Sequence, residues 1–474
     1  MLGTLLIPLI AAAIFALKLP RPLACGLNVA ASLATFIAAL LLVAAPPPPG
    51  ALLFVDGLNG FFLVLGSFVG FTTSLFSGRY IAHEHATGRI GEGALRLYHA
   101  MFQLMLFGMN LSLLANNIGL MWVALELATL IAVVMVGLYR TPAAIEAAWK
   151  YFILGSVGIA LALFGTILIY MAARGVMGDD SDAMLWTALI TAAPKFDAAM
   201  LNLAFVFLLL GYGTKVGLVP LHAWLPDAHG EGPTPITAVL SGLLLNVALH
   251  ALLRFKMILA ANPAAIPPGV LMIALGLASV IFAAFMLYRR PDLKRLFGYS
   301  SVEHMGLIVF AFGIAGPAAN FAALLQTAMH SLGKSAIFFA VGPICQAMGT
   351  QRIDRMGGLT ASSPFLGWSL VAGVVAIVGM PPFGVFMSEF LIITATFARQ
   401  PALAVLLGLG LLAAFAALLL RLNAVAFGAP QGEITPVPVA RTPLVLHLLL
   451  VLAAGLYLPP ALAAWLHEIA VRVG

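Results

Sequence analysis

GYGTKVGLVPLHAWLPDAHGEGPTPITAVLSGLLLNVALHALLRFK, residues 211–256, decides how the rest of the chain is read. Lys215 stands in an apolar run that begins at Leu203, and Pro220, Pro226, Pro233 and Pro235 follow it. Each proline removes a backbone donor and disfavours a continuing helix. The stretch therefore predicts a helix broken at membrane depth, with a charged side chain at the break. Irregular backbone survives at that depth only where protein buries it or where it lines a wet cavity. An ionisable group there is a functional candidate by default.

Composition supports a membrane setting. The 474 residues are 62% hydrophobic and 8% charged, and mean hydropathy is +1.09. Soluble globular chains carry roughly a quarter charged residues, so a water-soluble fold is excluded. Long solid apolar runs, rather than short alternating ones, exclude a barrel. The net charge of +6 does not indicate nucleic acid, because basic residues in membrane proteins mark cytoplasmic loops. Cys25 and Cys345 are far apart in the chain and fit neither a disulfide nor a metal spacing. No phosphate loop, dinucleotide glycine pattern or haem ligation signature is present. The first apolar segment lacks a basic leader and a cleavage site, and is read as a first spanning helix.

A bilayer core requires about 20 apolar residues per helix. On that basis fourteen spans are predicted, near 2–17, 23–45, 52–76, 95–114, 118–138, 149–172, 201–218, 235–259, 269–288, 298–315, 319–345, 364–394, 402–427 and 444–466. The twelfth contains GMPPFG at 379–384, a second break. With the N-terminus outside, the outer side holds only Arg174, Lys195, Arg254, Lys256, Arg399 and Arg472, Lys215 and Lys334 stay within the membrane, and every other basic residue lies inside. That bias predicts both termini on the outer side, with 226–233 an inner loop. Broken helices in corresponding positions of two halves point to inverted repeats. The predicted organisation is an N-terminal three-helix segment and loop at 1–94, a first five-helix repeat at 95–260, a second, inverted one at 261–428, and a C-terminal helix at 429–474. The fold class is all-α and polytopic.

Buried charge costs about 2.5–3.5 kcal/mol per residue on insertion scales, so the chain must pair such groups or use them. Glu126 lies mid-way along the fifth span, Lys215 in the seventh, and Glu389 just after the second break. Gln326, His330 and Lys334 recur every fourth residue and form one stripe of the eleventh helix. Asn246, His250 and Arg254 do the same in the eighth. Acids and bases alternate over several helices, an arrangement suited to protons: burial disfavours a charged lysine, a neighbouring carboxylate favours it, and histidine titrates near neutrality. A sodium site would need converging oxygens instead. Glu126, Lys215, His250, His330, Lys334 and Glu389 are the predicted proton path, with Lys150, Asn246, Glu303, His304 and His222 as secondary candidates. Glu303 and His304, being adjacent, are expected to face different sides of their helix. Arg254 and Lys256 are expected to snorkel to the interface. His222, Asp227 and His229 read as turn contacts rather than a metal site, His83–Glu84–His85 as a solvated loop, and Asp179, Asp180 and Asp182 as an outer acidic loop without calcium spacing.

The run GTKVGLVPLHAWLPDAHGEGPTPITAVLSG, with WVALELATL, AAWKYFILGSVG, RPDLKRLFGYSSVEHMGLI, HSLGKSAIFF and GMPPFGVFMSEF in that order, resembles the antiporter-like subunits of respiratory complex I, group 4 membrane-bound hydrogenases and Mrp antiporters. The YSSVEHMGLI version is most similar to the hydrogenase-4 component F branch. The resemblance implies fourteen helices in two inverted repeats, and proton translocation along buried ionisable residues. It implies that Glu126 and Lys215 are the first repeat's acid and base, His330 and Lys334 the second repeat's central pair, and Glu389 its terminal residue. Many members carry a lysine where Asn246 stands, and His250, one turn on, is the candidate substitute. The expected role is a proton-translocating membrane subunit of a redox-driven complex, with no cofactor of its own, in a bacterial or archaeal cell membrane. Other membrane subunits, including a quinone-module or anchor subunit, and a peripheral redox arm are the expected partners. A Mrp-type Na⁺/H⁺ antiporter subunit and the membrane partner of an inorganic-carbon uptake complex are the alternatives.

Overall fold

The computed structural model describes residues 1–178 and 181–474. Asp179 and Asp180 of the acidic loop lie outside the described residues. Seventeen principal helices follow in order: α1 Leu2–Ile14, α2 Arg21–Ala44, α3 Gly57–Ala86, α4 Glu92–Leu114, α5 Ile118–Val136, α6 Pro142–Met177, α7 Ala198–Val216, α8 Trp224–Glu231, α9 Thr234–Ala260, α10 Gly269–Leu287, α11 Leu293–Ile314, α12 Pro317–Met348, α13 Pro364–Ile377, α14 Gly384–Arg399, α15 Pro401–Ala426, α16 Arg441–Leu456 and α17 Pro460–Val473. A short helix, Trp186–Ala192, lies between α6 and α7. Extended backbone among the described residues is limited to isolated bridges.

Local sequence sets the helix ends. Asp56 and Asn59 form a reciprocal capping box at the start of α3, and Asn117, Thr141, Asp197 and Asp292 accept backbone N–H groups at the starts of α5, α6, α7 and α11. These contacts satisfy donors that the first turn leaves free. Proline in the first turn of α2, α6, α12, α13, α15 and α17 does the same by lacking the donor.

Ten of the fourteen predicted spans are single helices long and apolar enough to cross a bilayer. The other four have separate reasons. The first is only 13 residues long. The eleventh, α12, carries the polar stripe that lowers its hydropathy. The twelfth is split into α13 and α14. The fourteenth, read from sequence as one span at 444–466, bends by 81° between α16 and α17, where Pro459 and Pro460 withdraw two backbone donors. The segment 226–233, expected as a loop, is mostly the helix α8. Its Pro226 falls in the first turn, where a missing N–H costs little.

Two five-span units, α4–α9 and α10–α15, each break at their fourth member. An odd number of crossings turns the second unit over relative to the first. Gly217 (φ 88°) ends α7 and Gly379 (φ 72°) follows α13, backbone that side chains other than glycine rarely adopt. The most hydrophobic windows of α9 and α11 are 100% buried, against 33% for those of α2 and α15. The fold therefore encloses α9 and α11 and leaves α2 and α15 at the perimeter.

Candidate proton pathway

The site is built from the first break upward. α7 can approach α6 closely because Gly211 faces it: a Cβ there would lie 2.5 Å from the backbone nitrogen of Ala162. Gly155 of α6 leaves room for the Lys215 ammonium, since a Cβ would stand 3.1 Å from Nζ. Lys215, 2% exposed, meets Glu126 of α5, 16% exposed, at 3.0 Å. Below the pair, Trp224 of α8 donates to the carbonyl of Thr214 at 2.8 Å and stacks on Tyr151 with ring centres 4.1 Å apart. Ser279 of α10 accepts the Val219 amide at 2.9 Å. Side chains of α8 and α10 thus satisfy backbone groups at the break, as membrane depth demands.

α8 is held by cations from elsewhere. Lys294 donates to the carbonyls of Gly230 and Gly232 at 3.0 and 2.6 Å. Arg295 pairs with Asp227 and Glu231, and Lys150 with Asp227 and Glu146. Lys150 therefore belongs to this half-exposed surface network and not to the buried line. His222, in the break, lies edge-on to Phe282 at 4.8 Å.

A central polar line runs between the repeats. Asn246 of α9 donates to Ser331 of α12 at 2.7 Å, and Ser331 adjoins His330. The rings of His330 and His304 are 5.4 Å apart. His304 meets the Gln326 amide at 2.8 Å, and Ser388 of α14 donates to the Gln326 oxygen. Lys334 is fully buried and donates to the carbonyl of Phe297 at 3.3 Å. Among the described residues it has no carboxylate within ion-pair distance. Glu303 and Glu389 line one cavity of ≈ 290 Å³ between α13, α14 and α15, and the Glu389 carboxyl fills the space a side chain at Gly379 would need.

Four expectations are corrected. Arg254 is buried and gripped by Asp56 through two 2.7 Å hydrogen bonds. Its guanidinium also lies against the stacked rings of Trp186 and Phe54, 4.3 and 4.8 Å from their centres. Lys256 is also buried, donating to the carbonyls of Val473 and Gly474. Neither snorkels, because the C-terminal turn and the α3 start cover them. Glu84 is wholly buried, meeting Arg89 and Gln346, since α3 extends to Ala86 and carries it inside. Glu303 and His304, although adjacent, approach to 3.4 Å, because long side chains can curl back along the helix.

His250 is placed differently from a simple relay. Its Nε2 accepts from Arg254 at 3.0 Å, which ties it to the Asp56 end and not to His330. Asn246, one turn earlier, is the member of that stripe that bonds the second repeat, through Ser331. His229, read from sequence as a turn contact, and Lys294, read as an inner-loop cation, are both buried at the site. His229 is fully buried with both ring nitrogens unbonded, packed against Phe338 of α12. The LPDAHGEGP spacing that places it on a helix after the break was the available signal.

Residues 115–415 match the family described as NADH:quinone oxidoreductase/Mrp antiporter, transmembrane. A hydrogenase-4 component F homolog of Methylacidiphilum infernorum is 57% identical over 94% of both chains. Subunit M of the Escherichia coli NADH-quinone oxidoreductase is 31% identical over 61% of this chain and 56% of its own. A chain of Thermus thermophilus respiratory complex I superposes with TM-score 0.83 at 25% identity, covering 99% of this chain and 98% of that one. The chain belongs to the NADH:quinone oxidoreductase/Mrp antiporter family of transmembrane subunits.

Proposed function

We propose that this chain moves protons as a membrane subunit of a redox-driven complex of the hydrogenase-4 or complex I kind, the first repeat (95–260) acting as one half-channel and the second (261–428) as the other. The observation that carries this reading is the buried Lys215–Glu126 pair, 3.0 Å apart at the end of a broken helix. Drawing Glu126 away leaves an ammonium in a nonpolar site, a state that burial disfavours, and its proton leaves. The polar side chains of Asn246, Ser331, His330 and Lys334 offer the next positions, and Glu303 and Glu389 the last. Electrons pass through partner subunits, supplied by a peripheral redox arm, and the work they release moves the first pair.

The proposed location is the cell membrane of a bacterium or archaeon, with both termini outside, supported by the distribution of basic loop residues. Mrp-type exchange is the second reading, supported by the family match, whose description includes the Mrp antiporter. Reconstitution of the assembled complex in liposomes with a luminal pH dye distinguishes the two. Redox turnover acidifying the lumen without sodium supports proton translocation; transport that requires sodium replaces it with exchange.

A further inference from the structure

A cavity of ≈ 390 Å³ opens between the start of α2, the start of α4 and the end of α1. It lies apart from the proton line. Lys18, Arg21 and Arg96 line it together with one acid, Glu92, so the lining keeps a surplus of positive charge. Arg21 is shared with Glu92 and His85. Lys18 and Arg96 make no hydrogen bond or ion pair among the described residues. His99 sits at the wall, 2% exposed, its ring stacked on Phe15. Neither of its ring nitrogens has a partner. A buried imidazole with both nitrogens idle is costly unless something polar meets it. The remaining walls, from Phe15, Leu17 and Leu95, are apolar, and Leu17 and Leu23 beside them are largely exposed.

We propose that this cavity binds the phosphodiester headgroup of an anionic phospholipid. Lys18, Arg21 and Arg96 would meet the phosphate oxygens and His99 would donate to one of them, while the acyl chains lie along Leu17 and Leu23. Basic pockets between membrane helices commonly take such headgroups. The occupant also has a structural task. Ala11, Phe15, Ala24 and Ala31 form a small apolar cluster separate from the main core, so a lipid wedged at its open end braces the α1–α2 corner. A free phosphate would share the polar contacts but leave the apolar walls wet.

Native mass spectrometry of the detergent-solubilised full chain tests this with phosphatidylglycerol, phosphatidylcholine and inorganic phosphate as separate probes. Phosphatidylglycerol is expected to bind in preference to phosphatidylcholine. The double variant Lys18→Gln/Arg96→Gln, altering two exposed side chains without partners, is expected to lose about thirtyfold of that binding. His99→Phe, which keeps the stacking, is expected to lose about tenfold. Thermal unfolding of both variants without lipid is expected to match the parent, which separates lost binding from lost fold. Equal retention of the two lipids, or undiminished binding by the double variant, overturns the proposal. Saturation by inorganic phosphate with no added gain from the lipid overturns the lipid assignment.

Discussion

The two broken spans solve one problem in opposite ways. At the first, between α7 and α8, a buried cation has its carboxylate at 3.0 Å. At the second, between α13 and α14, two carboxyl groups share one cavity, and the nearby lysine leans on a backbone carbonyl. One half of the molecule is closed on itself; the other holds acid and base apart. A neighbouring carboxylate favours the charged lysine, whereas a buried lysine without one is favoured neutral. The two breaks thus differ in whether acid and base touch: in contact at the first, apart at the second.

The largest effect that tests this contrast comes from the two lysines. Lys215→Met leaves the Glu126 carboxylate, 16% exposed, without its cation and is expected to cost about 1–3 kcal/mol of stability. Lys334→Met strands nothing, because the Phe297 carbonyl also accepts from Ser301; its stability is expected to be unchanged or higher. Both should abolish proton transport in reconstituted complex, so thermal unfolding measured beside transport separates the roles. Equal destabilisation would erase the contrast. Next, Glu303→Gln or Glu389→Gln is expected to cut transport at least tenfold while leaving unfolding near the parent, as neutralising one of two neighbouring acids removes repulsion. Asn246→Leu deletes one of the hydrogen bonds joining the repeats. It is expected to cost about 1 kcal/mol and to lower protons moved per redox turnover. The smallest change is Gly155→Ala, whose Cβ would stand 3.1 Å from the Lys215 amine. A severalfold slower transport rate, with stability intact, is expected from the displaced pair.

Much of the fold is legible because bilayer physics is simple. Apolar runs of sufficient length must be helices, and proline–glycine clusters must break them, so both breaks could be read at 211–256 and 379–384. Glu126 and Lys215 stood out for the same reason: a charge in an apolar run has few explanations. What sequence could not show was which way a side chain turns. Arg254 looked like an interface residue because its partner, Asp56, is distant in the chain. His250 and Asn246 share one helix face, and only packing decided that the asparagine reaches α12 while the histidine turns to Arg254. Glu84 seemed solvated because the end of α3 was placed ten residues early. His229 was hidden by the prolines around it, which favoured a turn over a helix.

The central claim is that the Lys215–Glu126 pair couples redox work to proton movement. Its most direct test is the ratio of protons moved to electrons transferred by the liposome-reconstituted complex carrying Glu126→Gln. The account predicts that assembly and electron transfer persist while the ratio falls sharply below that of the parent complex. An unchanged ratio, with the variant chain verified in the complex, would contradict it.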